Sequence, residues 1–166
     1  MAKPSFKGPL DLMPAGAAVA VSASALLSGK YNGPIMILRR SSDDASLSVE
    51  PDQKGNVNIN STVRWRDKLG DATAFVERAF DQSGNGVHFT EMDPSKQPIW
   101  MPASPDTGRP AFISQSFSYI WNNAAILSFA DDIITGWLVG RGRHEVYAQT
   151  PGTVRVDPLT GFFFRG

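Results

Sequence analysis

The sequence of 166 residues contains no cysteine, and this absence removes several classes of site at once. Disulfides, thiolate zinc sites and a cysteine nucleophile are all excluded. Small secreted enzymes often carry a disulfide, so the absence favours assembly in a reducing cytoplasm. Histidine is nearly as rare, since His88 and His144 are the only two in the sequence and no H-x-x-x-H or H-E-x-x-H spacing exists. The sequence therefore predicts no metal site and no cofactor.

The chain also lacks an excess of charge of either sign, because 16 basic residues balance 16 acidic ones. Proteins that bind nucleic acid non-specifically need a basic surface to displace counterions. The apolar stretch over residues 15–28 is mostly alanine and is too short to span a bilayer. Neither nucleic acid nor a membrane is therefore predicted as a partner.

What the chain does have is turn punctuation, with 15 glycines and 12 prolines spread along its length. This pattern separates many short elements and favours an all-β domain. We expect strands over residues 35–40, 47–50, 72–80 and 99–101, and further strands over 111–117, 124–129, 133–142 and 144–149. Short helices are expected over 17–28 and over 63–70, the second capped within residues 60–62. Residues 1–16 are predicted to form an N-terminal arm and residues 17–166 a single β-sandwich domain.

The stretch AFDQSGNGVHFT, residues 79–90, holds the three residue types of a hydrolytic triad in Asp81, Ser83 and His88. A serine nucleophile normally sits on an elbow such as G-x-S-x-G, and its base comes from elsewhere in the fold. Here the serine lies within a string of turn-forming residues, where aspartate can bond the backbone two residues on and glycine can adopt positive φ. We interpret the stretch as a structural turn without catalytic residues, formed by Asp81, Gln82, Ser83, Gly84 and Gly86.

Pairs of acids are the next candidates, because glycosidases use two carboxyl groups. Asp43 and Asp44 follow Arg39 and Arg40, so local ion pairs explain them. Asp131 and Asp132 lie between two apolar segments, where a turn is expected. Glu91 and Asp93 are the third group.

Aromatic and amide side chains near the proline-rich segment 93–110 provide a candidate glycan-binding surface. Tryptophan rings can stack on sugars, although in a β-sandwich they more often belong to the core. The candidate set for a shallow glycan-binding groove is Trp100, Tyr119, Trp121, Asn122 and Asn123.

Several segments taken together resemble a known family. They are GPLDL at 8–12, YNGPIMILRRSSDDASLSV at 31–49, FDQSGNGVHFT at 80–90, QPIW at 97–100 and TGRPAFIS at 107–114. In this order they resemble the N-terminal part of the catalytic module of family 54 α-L-arabinofuranosidases. They are also similar to concanavalin-A-like (laminin-G-like) modules of bacteriophage tail and virion proteins. The resemblance implies a concanavalin-A-like antiparallel β-sandwich, jelly-roll-like in form, with one or two short helices.

The same resemblance implies that the enzyme's chemistry is missing. The arabinofuranosidases have a cysteine where this chain has Leu10, an adjacent cysteine pair, and a Gly-Asn-Ala-Glu segment that carries the nucleophile. This chain has none of these. We therefore expect a non-catalytic structural component of a tailed-bacteriophage virion, such as a decoration, fibre-like or tail accessory protein. The alternatives are a carbohydrate-binding module acting on its own and a glycoside hydrolase of arabinofuranosidase type.

The virion interpretation also predicts partners and surfaces. Assembly would take place in the host cytoplasm, with other virion proteins and further copies of this chain as partners and host surface polysaccharide as a possible ligand. The apolar C-terminal segment, Phe162, Phe163 and Phe164, would place apolar side chains on both faces of a terminal strand, which needs a cover. These three residues and the N-terminal arm are the predicted subunit contacts.

Overall fold

The structure, a computed structural model, describes residues 6–12, 17, 19–105 and 107–113, together with the backbone of three short strands further on. The chain divides into two compact units, residues 1–125 and residues 126–166. Each unit contains its own antiparallel sheet. In the parts that the structure describes, no helix is long and apolar enough to cross a membrane.

The first unit is built on a six-stranded antiparallel sheet. Four strands form its first part, β1 Met36–Arg40, β2 Ser46–Val49, β3 Ala74–Ala79 and β4 Phe89–Thr90. Two more follow, β5 Ile99–Met101 and β6 Ala111–Ile113. The strand order is β2-β1-β3-β5-β6, and β4 also pairs with β3. The predicted strands over 35–40, 47–50, 72–80 and 99–101 are confirmed, as is the beginning of the strand predicted over 111–117.

One face of this sheet carries the core, because buried residues alternate along the strands as the period of two requires. Leu38 of β1 lies opposite Leu47 of β2 and Val76 of β3, and both Leu38 and Val76 are fully buried. The pairing of β1 with β3 shifts next to Leu38, so that Glu77 is an extra residue in β3. Such a β-bulge redirects the side chains on one strand relative to its neighbour.

A single α-helix, α1 Ile59–Arg66, occurs in the described part of the first unit and continues into a 3-10 turn at Asp67–Leu69. Asn58 is its N-cap, and the Asn58 side chain accepts a hydrogen bond from the backbone N–H of Ser61 at 3.1 Å. The sequence placed the cap two or more residues later, within 60–62. Asparagine and serine are both good caps, so the local sequence did not distinguish the two positions.

The helix predicted over residues 17–28 is wrong. The described part of this segment has bends and an isolated β-bridge between Ala25 and Asn56. Its backbone groups bond to other parts of the chain, as when Leu26 N–H donates to the Gly55 carbonyl at 2.7 Å. Tertiary hydrogen bonds have therefore replaced those of a helix, which a short alanine-rich segment forms only marginally.

The second unit contains a three-stranded antiparallel sheet of β7 Thr135–Gly136, β8 Arg155–Asp157 and β9 Gly161–Phe163, in the order β7-β9-β8. Strand β7 falls within the strand predicted over 133–142. The backbones of Phe162 and Phe163 belong to β9, while Phe164 lies outside the described residues, as do the strands predicted over 124–129 and 144–149. The subunit-contact role of these three phenylalanines stays a prediction. Antiparallel sheets with one short α-helix place the described part of the chain in the all-β class.

Candidate functional site

The turn after β3 is organised around the carboxylate of Asp81, which is 1% exposed. Its Oδ1 accepts hydrogen bonds from the backbone N–H groups of Ala20 and Ser83, each at 2.9 Å. Its Oδ2 accepts from the Ser83 hydroxyl at 2.7 Å and from the Val87 N–H at 3.1 Å. One buried acid thus holds together both ends of the turn and a segment sixty residues earlier.

Ser83 and His88 do not have the hydrogen bonds of a nucleophile and its base. The single hydroxyl proton of Ser83 is directed at Asp81. The Nδ1 atom of His88 accepts the backbone N–H of Asp81 at 3.1 Å, and its ring meets that of Phe80 edge-on at 5.0 Å. In a triad the serine proton would go to the histidine instead.

Two glycines in the turn have backbone angles that favour glycine. Gly84 has φ of 96° and Gly86 has φ of 73°. A Cβ atom at either position would meet nothing within 4 Å, so the requirement lies in the backbone and not in the available space. Residues with a Cβ rarely adopt such angles.

Gln82 is buried and links the turn to the segment before β1. Its Oε1 accepts the backbone N–H of Leu27 at 2.6 Å, and its own backbone N–H donates to the Ala20 carbonyl at 2.7 Å. Its Nε2 donates to the Ala25 carbonyl at 3.4 Å. Together with Asp81, this side chain satisfies backbone groups that would otherwise be buried without partners.

The charge state of Asp81 makes this turn sensitive to acid. Burial raises the pKa of the carboxyl group, but the hydrogen bonds from Ser83, Ala20 and Val87 outweigh burial and hold the pKa below its ordinary value of 3.8. A lowered folded-state pKa contributes stability above the unfolded value of about 3.9 and loses it as pH falls through the folded pKa.

We expect the unfolding free energy to fall as pH drops below about 4, with Asp81 contributing to the loss. Urea titrations of the wild type and of Asp81→Asn across this range measure it. The variant lacks the titrating group, so its stability should depend less steeply on pH. Parallel curves for the two proteins would contradict the prediction.

The acid pair at Asp43 and Asp44 is occupied by ion pairs, as the sequence predicts. Asp43 binds Arg40 through two parallel contacts of 2.8 Å, and Arg40 also donates to the carbonyl of Trp65 and lies over its ring. Asp44 binds Arg39 at 2.6 Å. Both acids therefore neutralise arginines of β1, and Arg40 fastens the end of α1 to the sheet.

Glu91 differs from these acids. It follows β4, is 6% exposed, and its Oε1 accepts the backbone N–H of Asp93 at 2.8 Å. Its Oε2 is also buried, and it has no hydrogen-bond partner among the residues that the structure describes. Leaving a buried acceptor in this state costs free energy, and native proteins seldom do so without a reason.

Hydrogen bonds within the loop of residues 91–97 fix the backbone on both sides of this acid. The Gln97 side chain donates to the Glu91 carbonyl at 2.9 Å and accepts from the Nε of Arg39 at 2.7 Å. Arg39 lies over the Phe75 ring at 4.8 Å from its centroid. The backbone N–H of Glu91 donates to the carbonyl of Glu77 at 2.9 Å. The backbone of Glu91, just after β4, thus lies next to the backbone of Glu77 in β3.

The second member of the Glu91/Asp93 pair has a different character. Hydrogen bonds from Ser95 and Lys96 lower the pKa of Asp93 to about 2. Its carboxylate contacts the ammonium group of Lys96 at 3.1 Å. Asp93 is therefore an ionised surface acid that closes the loop.

Sequence reasoning named Glu91 as a candidate acid but missed Gln97 and Glu77. Gln97 is separated from Arg39 by 58 residues, so no local spacing reveals their contact. The bulge that sets apart Glu77 arises from strand register.

Trp100, predicted as a sugar-stacking residue, lies in the core. It is 1% exposed, and its Nε1 donates to the Ala23 carbonyl at 3.2 Å. The ring lies on the inward face of β5 and has no surface available to a sugar in this structure. Trp100 is therefore removed from the predicted glycan-binding residues. The rest of that set, Tyr119, Trp121, Asn122 and Asn123, lies outside the described residues. Within the described ranges, no three acids, histidines or cysteines are grouped as a metal site requires.

Comparison with known proteins gives three curated relatives, all arabinofuranosidases. The chain is 32% identical over 91 residues to a probable α-L-arabinofuranosidase B of Aspergillus fumigatus. It is 29% identical over 90 residues to an α-L-arabinofuranosidase of Hypocrea jecorina, and 31% identical over 90 residues to α-L-arabinofuranosidase B of Penicillium canescens. Each match covers 52% of this chain and 17%, 17% and 19% of the respective relative.

Two further comparisons complete these findings. A solved structure of an arabinofuranosidase complexed with arabinofuranosyl-α-1,2-xylobiose aligns with a TM-score of 0.47 at 24% identity. That alignment covers 63% of this chain and 24% of the solved one. No family model matches the sequence.

The curated relatives overturn the prediction of a non-catalytic virion component. All three are glycoside hydrolases by name, and none is a phage protein. The prediction relied on the missing Gly-Asn-Ala-Glu segment. The chain spans less than a fifth of these relatives, so the absence of one segment does not exclude their chemistry. Both the virion function and the statement that the chain is not an enzyme are corrected accordingly.

Proposed function

We propose that this chain contributes to a glycoside hydrolase of arabinofuranosidase type, which cleaves α-L-arabinofuranosyl groups from a glycan. The observation that carries the proposal is the 29–32% identity to three arabinofuranosidases over about half of the chain. Such hydrolysis breaks the bond between the anomeric carbon and the leaving-group oxygen. Water supplies the new oxygen on that carbon, and carboxyl groups move the protons.

The same proposal includes the finer fold. We propose that the six-stranded sheet is one layer of a concanavalin-A-like β-sandwich. The alternation of buried and half-buried residues on its strands supports this, because a sheet with one apolar face needs a second layer.

Within the described residues, we propose Glu91 as the first acid to test for a part in the reaction. Asp43, Asp44, Asp81 and Asp93 are held in ion pairs or by backbone N–H groups, whereas one oxygen of Glu91 has no partner among the described residues. The loop of residues 91–97 holds Glu91 in place. A catalytic acid requires such a fixed position, because it must meet the reacting group in the correct geometry. Met92, the next residue, is exposed, so the acid lies close to the surface. Glu77, its backbone neighbour, is the second acid of the proposed pair.

The first experiment is an assay of the purified chain on 4-nitrophenyl α-L-arabinofuranoside, with the corresponding β-D-xylopyranoside as the control substrate. Release of nitrophenol from the arabinofuranoside alone supports the proposal. Absence of turnover in a chain that folds, melts cooperatively and binds the substrate in calorimetry would overturn hydrolysis by this chain.

Glu91→Gln should lower kcat by about 10²-fold or more, because general acid–base groups contribute about 10²–10⁴-fold. The matched control is Asp93→Asn, which changes an acid of the same loop that is already paired with Lys96. We expect near wild-type activity from that control. Equal losses in both variants, or a loss in Glu91→Gln that follows its melting temperature, would assign Glu91 a structural role.

A further inference from the structure

The segment of residues 19–28, which we call the strap, is held to the rest of the first unit mainly by hydrogen bonds. It contains no helix, and its β-pairing within the described residues is the isolated bridge between Ala25 and Asn56. Among its apolar side chains, Leu26 is buried at 9% exposure and belongs to the core cluster, while Val21 is exposed. The strands beneath contain residues with no exposed surface, such as Leu38 and Val76.

Asp81 and Gln82, which we call the latch, make much of the attachment. The Asp81 carboxylate accepts the Ala20 N–H, and the Gln82 side chain accepts the Leu27 N–H and donates to the Ala25 carbonyl. The latch therefore satisfies strap backbone groups near both ends of the segment.

Residues 10 and 11 hold the C-terminal end of the strap, because the Leu10 N–H donates to the Leu27 carbonyl at 2.9 Å and the Ser28 hydroxyl donates to Asp11 at 2.8 Å. Other attachments lie elsewhere along the strap. The backbone around Gly55 and Val57 exchanges hydrogen bonds with Leu26 and Ser24 at 2.7 and 2.8 Å. The indole N–H of Trp100 donates to the Ala23 carbonyl at 3.2 Å. The strap thus bonds directly to the ring nitrogen of Trp100.

This distribution of contacts has an energetic consequence. The net contribution of one hydrogen bond to stability is much smaller than that of burying a large apolar side chain. Regions with few buried apolar contacts therefore open at a lower free energy than the core. The strap is held mainly by hydrogen bonds, whereas the sheet is held mainly by the burial of large apolar side chains.

We propose that the strap opens as a unit from the folded sheet, that Asp81 and Gln82 latch it, and that its opening uncovers the ring of Trp100. In the open state the indole regains the surface by which tryptophan contacts apolar ligand faces. The inference does not depend on the proposed hydrolase activity.

Native-state hydrogen exchange of the full chain, followed by NMR in low concentrations of urea, tests it. We expect a single opening free energy, with little dependence on urea, for four N–H groups. These are the amides of Ala20, Leu26 and Leu27 and the indole N–H of Trp100. The amides of Leu38 and Val76 should exchange more slowly and with the full urea dependence of global unfolding. Coincidence of all these rates at every urea concentration would overturn the proposal, and this readout needs no variant.

Gln82→Ala identifies the latch. It should accelerate exchange at the strap amides and at the Trp100 indole by about tenfold or more, relative to the core amides. Gln97→Ala is the matched control, because Gln97 is also a buried glutamine that bonds the backbone but does not touch the strap in the contacts described. A similar acceleration in both variants would show a general loss of stability and would overturn the latch.

Discussion

Trp100→Ala is expected to lower the free energy of unfolding by about 3–5 kcal/mol, the usual cost of removing a fully buried tryptophan. The ring packs in the core cluster of the first unit and lies opposite Phe112 across the β5–β6 pair. Its removal leaves a cavity in the core and also removes the hydrogen bond to the Ala23 carbonyl. Urea unfolding of both proteins under identical conditions measures the difference.

Two variants separate the parts of this effect. Trp100→Phe keeps most of the apolar ring but loses the N–H donor, so it should cost clearly less than the alanine variant. Met92→Ala removes a large side chain that is 71% exposed and should change stability by about 0.5 kcal/mol or less. If Trp100→Ala cost no more than Met92→Ala, Trp100 would not be a core residue.

Asp81→Ala has the second large expected effect, a loss of about 3 kcal/mol or more. The substitution leaves the backbone N–H groups of Ala20, Ser83 and Val87 without their acceptor. Each buried donor left unpaired costs about 1–3 kcal/mol, although part of this is recovered where water enters. Thermal and urea unfolding at neutral pH, where the carboxylate is ionised, provide the measurement.

The controls for Asp81 test the turn interpretation against a catalytic one. Ser83→Ala removes one hydroxyl donor and should cost about 1 kcal/mol. Asp81→Asn keeps the shape but turns an amide donor toward other donors, so it should lie between the two. A larger loss in Ser83→Ala than in Asp81→Ala would contradict the arrangement of this turn.

Much of the sheet could be predicted from the sequence because its signals are local. The strands around Leu38 and Val76 alternate or concentrate β-branched and apolar residues between turn formers, which is a strand pattern without reference to the rest of the chain. The ion pairs of Arg39 and Arg40 with Asp44 and Asp43 span three to five residues and could be predicted for the same reason.

The segment around Ala20 and Leu26 shows where local signals fail. Its alanines favour a helix, and the sequence contains no sign of the partners that its backbone finds at Gln82 and Gly55. Asp81 itself was predicted as a turn residue. Spacing could not predict the other partners of its carboxylate. Its Oδ2 also accepts from Val87 at the end of the turn, and its Oδ1 also accepts from Ala20 of the strap.

The sequence by itself determined the all-β class, the positions of β1, β2, β3 and β5, and the residues that set the turn at 81–86. The tertiary structure alone decided that Trp100 bonds to the strap, that Gln97 joins Arg39 to the Glu91 loop, and that Glu77 and Glu91 are backbone neighbours. The physical reason is the range of the interactions. Propensity and turn geometry act within a few residues, whereas buried side chains choose partners that only the pairing of distant strands brings within hydrogen-bonding distance.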